Sequence, residues 1–165
     1  MDERFTEWVS RIPETATATR TVSRHLDLGD SIMTLIVLAP LASEPWRFTE
    51  LGRLRVQECE RVAALRTELT RCGARVVEEG DNLTVFPSEL RGAEIETYND
   101  HRIAMCFAIL GLKVPGIKLK NPACVNKTFP NFFQKLAAEP PHGLGASILD
   151  ARTRRSLGVE ELFAD

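Results

Sequence analysis

Four points along the chain place charged side chains just ahead of an apolar run. Asp30 precedes residues 31–41. Glu58 and Arg61 open a segment that continues to Arg71. His101 and Arg102 stand before residues 103–112, and Lys127 before residues 129–136. Each reads as the start of a helix, where free backbone amides and the positive end of the dipole favour anions. If the helices run parallel, these starts share one face, and two carboxylates and four potential cations surround a common cleft. Arginine forks suit phosphate or carboxylate, lysine adds a point charge, and paired carboxylates can move protons. That set fits an enzyme acting on small phosphorylated or carboxylated molecules. Taken singly, each charge also has a plainer reading. Asp30 can cap a helix, Glu58 and Glu60 can be first-turn acids, and Arg102 can pair with a nearby carboxylate.

The elements that would position these residues follow from periodicity. Residues 1–26 open with an amphipathic piece (Phe5, Trp8, Val9, Ile12) stopped by Pro13, and residues 15–21 have the β-branched content of an edge strand. Residues 31–41 are apolar on every face, which predicts a buried helix with Asp30 at its N-cap. Residues 46–51 alternate like a strand, and Val62, Leu65 and Leu69 mark a helix ended by Gly73. Residues 74–78 and 83–86 are short strands around Glu-Gly-Asp-Asn, a hairpin signal. A short strand at 93–96 leads to Thr-Tyr-Asn-Asp-His-Arg and a helix apolar almost all round, with Asn99 or Asp100 as cap. Residues 117–120 alternate again, 121–126 read as loop, and a last helix over 127–136 is predicted, with Thr128 as cap and Pro130 in its first turn. Pro140-Pro141 breaks it. Residues 142–165 read as a strand at 146–149, a charged turn and a short helix, or as a loosely attached tail. This order predicts α/β units on a mostly parallel sheet, with a weak internal repeat.

Composition narrows the classes. A chain of 165 residues with 44% hydrophobic and 27% charged residues is sized for one domain with a true core. A net charge of −2 gives no overall attraction to nucleic acid or an anionic membrane. The longest apolar run contains Pro40 and is too short to span a bilayer, and the first residues lack signal-peptide character. The four cysteines show no C-x-x-C, so a reduced, cytoplasmic protein is expected, with no zinc site. Phosphate-loop, dinucleotide-binding and H-E-x-x-H patterns do not occur.

Four ordered motifs then carry a resemblance. Thr-Tyr-Asn-Asp-His-Arg-Ile-Ala-Met-Cys (97–106) resembles the Asp-His-Arg-Met-Ala-Met segment of the 3-phosphoshikimate 1-carboxyvinyltransferase (5-enolpyruvylshikimate-3-phosphate synthase) family. Arg55-Val-Gln-Glu-Cys-Glu-Arg61 resembles its Arg-Val-Lys-Glu-x-x-Arg. Asp27-Leu-Gly-Asp30 and Asn121-Pro-Ala-Cys-Val-Asn-Lys-Thr-Phe-Pro130 are similar to its remaining two signatures. The resemblance implies α/β architecture, with βαβαββ-type units of a truncated C-terminal lobe over residues 27–138. It leaves a compressed segment at 1–26 and an extension at 139–165.

The implied chemistry moves the enolpyruvyl group of phosphoenolpyruvate to the 5-hydroxyl of shikimate 3-phosphate, with release of phosphate, and uses no metal or organic cofactor. The resemblance makes Asp30 and Glu58 the catalytic carboxylates. It assigns Asp30, Arg53, Gln57, Arg61, His101, Arg102 and Lys127 to substrate binding. Gln57 departs from the family's lysine, and Arg53 stands where asparagine or histidine is usual. The expected partners are the two substrates, with a separate N-terminal lobe or a second copy of the chain completing the site. A non-catalytic module that binds an anion or a partner is the alternative, and a UDP-sugar enolpyruvyl transferase fits these motifs less well.

Overall fold

A computed structural model describes residues 3–14 and 18–162. The first helix, α1 (Glu3–Ser10), lays Phe5, Trp8 and Val9 on the main core, and Trp8 meets Trp46 edge-on at 5.9 Å. Of the expected strand at 15–21, residues 15–17 lie outside the described residues. The strand itself, β1 (Arg20–Ser23), does sit at a sheet edge.

One complete βαβαββ unit follows. It comprises β1, α2 (Ile32–Leu38), β2 (Trp46–Thr49), α3 (Arg61–Arg71), β3 (Val76–Glu79) and β4 (Asn82–Val85), with sheet order β1-β2-β4-β3. Strands β1 and β2 are parallel, with Val22 opposite Phe48, and the crossover helix α2 joins them. Strand β4 is antiparallel to both β2 and β3, so the sheet is mixed and not mostly parallel as expected. The cause is local. The two residues Gly80 and Asp81 close a tight hairpin, which can only return the chain antiparallel. Along β2 and β4, Trp46, Phe48, Leu83 and Val85 are fully buried while Arg47 and Thr84 are not, the period-2 alternation of a sheet with one face on the core. Val62, Leu65 and Leu69 of α3 are buried against it, and α3 ends where Gly73 takes φ +94°, a conformation open to glycine.

The second stretch repeats the first half of that unit: β5 (Glu94–Ile95), α4 (His101–Gly111), β6 (Lys118–Leu119) and α5 (Phe132–Ala137), with β5 and β6 parallel. Ile103, Phe107 and Leu110 of α4 join the main core, and α4 packs on α2. A second, smaller core gathers Ala104, Val125, Phe132, Phe133, Leu136 and Leu162. Ala146, Ile148 and Leu157 pack on it, Leu149 bridges Ser156 across the charged turn, and Val159–Leu162 form a 3-10 turn. The C-terminal segment is therefore docked, and 163–165 lie outside the described residues.

Three local expectations are corrected. Asp30 does not cap α2. It lies in a 3-10 turn, Gly29–Ser31, and its carboxylate is engaged elsewhere. Residues expected as loop form a 3-10 turn, Pro122–Lys127, closed by Thr128 N–H donating to Val125 O. Because Thr128 ends that turn, the following helix begins only at Phe132. Thr128 makes no cap, Pro130 stays outside the helix, and Phe129 is 41% exposed. Among the described residues, no helix is long and apolar enough to cross a membrane.

Candidate functional site

The charged groups ahead of the helices meet at the seam between the two stretches. An open pocket of about 480 Å³ is lined by Asp30, Val56, Gln57, Glu58, Arg61, His101, Arg102 and Thr128. Lys127 reaches the same place, with Nζ 2.5 Å from Glu58 Oε1.

Each side chain is aimed by its backbone setting. The chain between β2 and α3 runs through a 3-10 turn, Leu51–Val56, pinned to the β3–β4 hairpin by Arg55. That guanidinium donates to Glu78 Oε1 (2.8 Å) and Asp81 Oδ1 (2.9 Å), and it also reaches Glu60 Oε1 (2.5 Å). Gln57 and Glu58 emerge from this fixed turn towards the seam. Glu60, not Glu58, is the N-cap of α3, so Glu58 stands ahead of the first turn where the sequence suggested it lay. With the cap supplied by Glu60, the Glu58 carboxylate is left for the site.

Across the seam, Asp100 is the N-cap of α4. It is fully buried, and one oxygen accepts from Arg102 N–H at 2.8 Å. Arg61, also buried, grips the same carboxylate with Nε at 2.7 Å and Nη2 at 3.3 Å. Burial opposes charge on both partners, yet their mutual attraction prevails: Asp100 is held below the usual carboxylate range and Arg61 is raised above its own. The pair fixes α3 to α4 and sets the direction of His101 and Arg102.

Glu58 lies between His101 and Lys127. His101 Nδ1 is 3.0 Å from its Oε2 and Lys127 Nζ is on its Oε1. Lys127 is the main reason that the Glu58 pKa falls below its ordinary 4.5; burial and Asp100 oppose the shift and His101 adds to it. Asp30 faces four donors or cations. Arg24 binds Oδ1 through Nε (3.1 Å) and Nη2 (2.6 Å), and Gln57 Nε2 donates to Oδ2 at 3.2 Å. Arg61 and Arg102 lie 3.6 and 3.9 Å away. Partial burial would raise its pKa, but Arg24, Gln57 and Arg102 outweigh that and hold it below 3.8. Gln57 also accepts from Arg61, so the residue in the lysine position bridges Asp30 and Arg61.

Of the residues singled out in the sequence, Asp30, Gln57, Glu58, Arg61, His101, Arg102 and Lys127 converge. Arg53 does not: it is exposed and is not part of the pocket lining. Arg24 is the member that sequence reasoning missed. It lies in a π-helical turn, Arg24–Leu28, six residues before its partner Asp30, and no helical or strand period links the two. Its only signal is a cation close to the Asp27-Leu-Gly-Asp30 motif. Glu58, Asp100 and His101 offer ligand atoms within 4.8 Å of one another. A metal there would have to displace Lys127 from Glu58 and Arg61 from Asp100, so this donor set is already committed to cationic side chains.

The site is thus a pair of ionised carboxylates among arginine, lysine and histidine, able to receive a polyanionic molecule and to exchange protons with it. Comparisons with known proteins point the same way. The family model described as EPSP synthase (3-phosphoshikimate 1-carboxyvinyltransferase) matches residues 10–136. The chain is 47% identical over 109 residues to the 3-phosphoshikimate 1-carboxyvinyltransferase of Nostoc punctiforme, covering 66% of this chain and 26% of the relative. It is 40% identical over 143 residues to that of Opitutus terrae, covering 82% and 33%. A solved structure of EPSP synthase from Acinetobacter baumannii superposes with a TM-score of 0.60 at 29% identity, covering 66% of this chain and 26% of that one. The chain therefore spans about a quarter to a third of the length of these relatives, and the match reaches from α1 to α5. On the family model, the sequence relatives and the fold together, this chain belongs to the EPSP synthase family.

Proposed function

We propose that the seam pocket is one half of an enolpyruvyl transfer site. The observation that carries this reading is the convergence of Asp30, Glu58, Arg61, His101, Arg102 and Lys127 from four separate chain segments onto one open pocket. In this reading Arg102 and Lys127, the more exposed cations (40% and 64%), take the phosphate and carboxylate of phosphoenolpyruvate. Arg61 is held inward by Asp100 and adds fixed positive potential. Asp30 binds the hydroxyls of shikimate 3-phosphate and removes the proton of the attacking 5-hydroxyl as its oxygen bonds to C2 of phosphoenolpyruvate. Glu58, protonated from solvent once Lys127 leaves it for the phosphate, gives that proton to the methylene carbon to form a tetrahedral intermediate and is left as the carboxylate. Loss of a methyl proton to Glu58 and departure of phosphate then restore the double bond. Glu58 stays ionised while Lys127 is bound to it, and transfer of Lys127 to the incoming phosphate frees this carboxylate for proton exchange. Preorganised cations favour the intermediate because its charge is concentrated where they already point.

The other half of the site belongs to another part of the family architecture. Val56 lines the pocket and is 77% exposed, and Leu26, in the turn that carries Arg24, is 68% exposed. Apolar side chains on the rim of a charged cleft suit coverage by a second lobe. The chain by itself therefore has little or no turnover and acts in the cytoplasm with an N-terminal lobe. The test is phosphate release from phosphoenolpyruvate plus shikimate 3-phosphate, with the chain alone and mixed with a family N-terminal lobe. Release only in the mixture is expected. Full turnover by the chain alone would overturn the half-site reading.

A second reading, an anion- or partner-binding module without catalysis, is favoured by one observation. Gln57 occupies Asp30 with its own amide, in the position where the family's lysine contacts substrate. Silence of the mixture, with a folded chain and a lobe validated on another family member, would select it.

A further inference from the structure

Two consecutive residues just ahead of α4, Tyr98 and Asn99, adopt left-handed backbone conformations, with φ of +53° and +55°. Asparagine tolerates this region, whereas tyrosine visits it only when its surroundings compel it. Those surroundings are specific. Tyr98 Oη donates to Glu68 Oε1 at 2.8 Å. Glu68 is fully buried in α3, and its Oε2 accepts from Glu96 N–H (3.2 Å) and Arg71 Nη1 (3.0 Å). Asn121 Nδ2 donates to Asn99 Oδ1 at 3.0 Å, and Asp100 N–H closes the turn on Thr97 O at 2.8 Å. Glu68 lies seven residues after Arg61, two turns further along the same face of α3. One helix thus holds residues 96–100 at both ends, Arg61 on Asp100 and Glu68 on Tyr98 and Glu96.

We propose that Glu68 and Tyr98 are positioning residues for the seam site: their hydrogen bond locks the left-handed turn that sets Asp100 at the N-cap of α4 and thereby presents His101 and Arg102. This rests on the functional reading above only for its consequence in catalysis; the lock itself is a property of the chain. Neither residue lines the pocket. Glu68 is buried with one oxygen on Tyr98 and the other shared between Glu96 N–H and Arg71, so its hydrogen bonds tie this segment to α3.

Amide hydrogen exchange on the full chain separates a lock against strain from ordinary packing. In Tyr98→Phe and Tyr98→Ala the hydroxyl is lost but the strained φ remains. Exchange of the Arg102 and Ala104 amides, both bonded to Asp100, should then accelerate by about tenfold, with the Leu65 amide of α3 unchanged. In Tyr98→Gly the hydroxyl is also lost but the strain is relieved, since glycine enters this region freely, and protection should return to within about threefold of the parent. Wild-type protection in Tyr98→Phe, or equal loosening in Tyr98→Ala and Tyr98→Gly, would overturn the proposal. Should Tyr98→Phe fail to fold, comparison of the alanine and glycine variants still decides. In the lobe-supplemented assay the phenylalanine variant should lose kcat more than it raises KM. Absence of turnover from the unaltered chain mixed with the lobe would count against the functional reading and leave the exchange result standing.

Discussion

The two βαβα stretches of this chain follow the same path, but both carboxylates that line the pocket come from the first. In the first, the segments after β1 and β2 bring Asp30 and Glu58 to the seam. In the second, those after β5 and β6 bring His101, Arg102 and Lys127. Several ion pairs run across the seam: Glu58 to His101 and Lys127, Asp30 to Arg102 at 3.9 Å, and, in reversed polarity, Arg61 to Asp100, while the tightest partner of Asp30, Arg24, lies within the first stretch. Their interiors differ as well. The first stretch has a four-stranded sheet whose central side chains are fully buried. The second has a two-stranded sheet, a small core of slightly exposed phenylalanines, and a cavity of about 590 Å³ between α4, β6 and the C-terminal segment. A repeated topology therefore does not imply repeated stability or repeated chemistry. The first stretch is the scaffold, and the second contributes cations held in place largely by their partners on it.

The buried Arg61–Asp100 pair is the strongest link between the two. Arg61→Ala would leave a fully buried carboxylate without its partner, and a loss of about 4 kcal/mol in urea unfolding is expected. A loss below about 1 kcal/mol would mean that the seam does not depend on this pair. Next comes the contrast between cores. Leu65→Ala, at a fully buried position in the first stretch, should cost about 3 kcal/mol, and Leu136→Ala in the second core nearer 2 kcal/mol. Equal costs would erase the distinction between scaffold and attachment.

Acid should act on the seam through the three carboxylates whose pKa values are lowered in the fold. Asp30 and Asp100 lie below their ordinary 3.8 and Glu58 below 4.5. Where the unfolded chain binds more protons than the folded one, stability rises with pH. Their contribution is thus fully present above about pH 4.5 and is lost as pH falls through the lowered native values. Unfolding midpoints measured from pH 6 downward should decline from that point, and Lys127→Met should shrink the Glu58 part of the decline. The smallest effect belongs to Gln57→Lys. It replaces a neutral bridge by a charge near both Asp30 and Arg61, so stability should change by less than about 1 kcal/mol. In the lobe-supplemented assay, however, KM for shikimate 3-phosphate should fall, and an unchanged KM would remove the significance assigned to this position.

Much of this arrangement was legible in the sequence, for physical reasons that also explain the gaps. Apolar periods located α2, α3 and α4 because each buries a stripe or a whole surface. Gly80 with Asp81 announced the hairpin because few residues fit so tight a turn. A short polar cap, Asn99 or Asp100, follows from its place before an apolar helix, and Asp100 takes the role. Asp30 reads as a cap or as a site carboxylate because capping and ion pairing use the same side chain at the same place, and only the position of Arg24 decides between them. Lys-Thr-Phe-Pro reads as a helix start because it carries a cap and a proline in the right order, yet the preceding 3-10 turn uses Thr128 to end itself. The helix starts group Asp30, Glu58, Arg61, His101, Arg102 and Lys127 on the condition that the helices run parallel, and the resemblance adds their roles. Spacing alone could not join residues as distant as Glu58 and Lys127, whose contact is purely tertiary.

The account stands most directly on phosphate release in the lobe-supplemented assay, comparing the parent chain with Glu58→Gln and Arg53→Ala. Glu58 sits at the centre of the seam cluster and Arg53 outside it. The predicted result is turnover by the parent, a loss of about 100-fold or more in Glu58→Gln, and little change in Arg53→Ala. Turnover that survives Glu58→Gln but disappears with Arg53→Ala would contradict the seam as the place of chemistry.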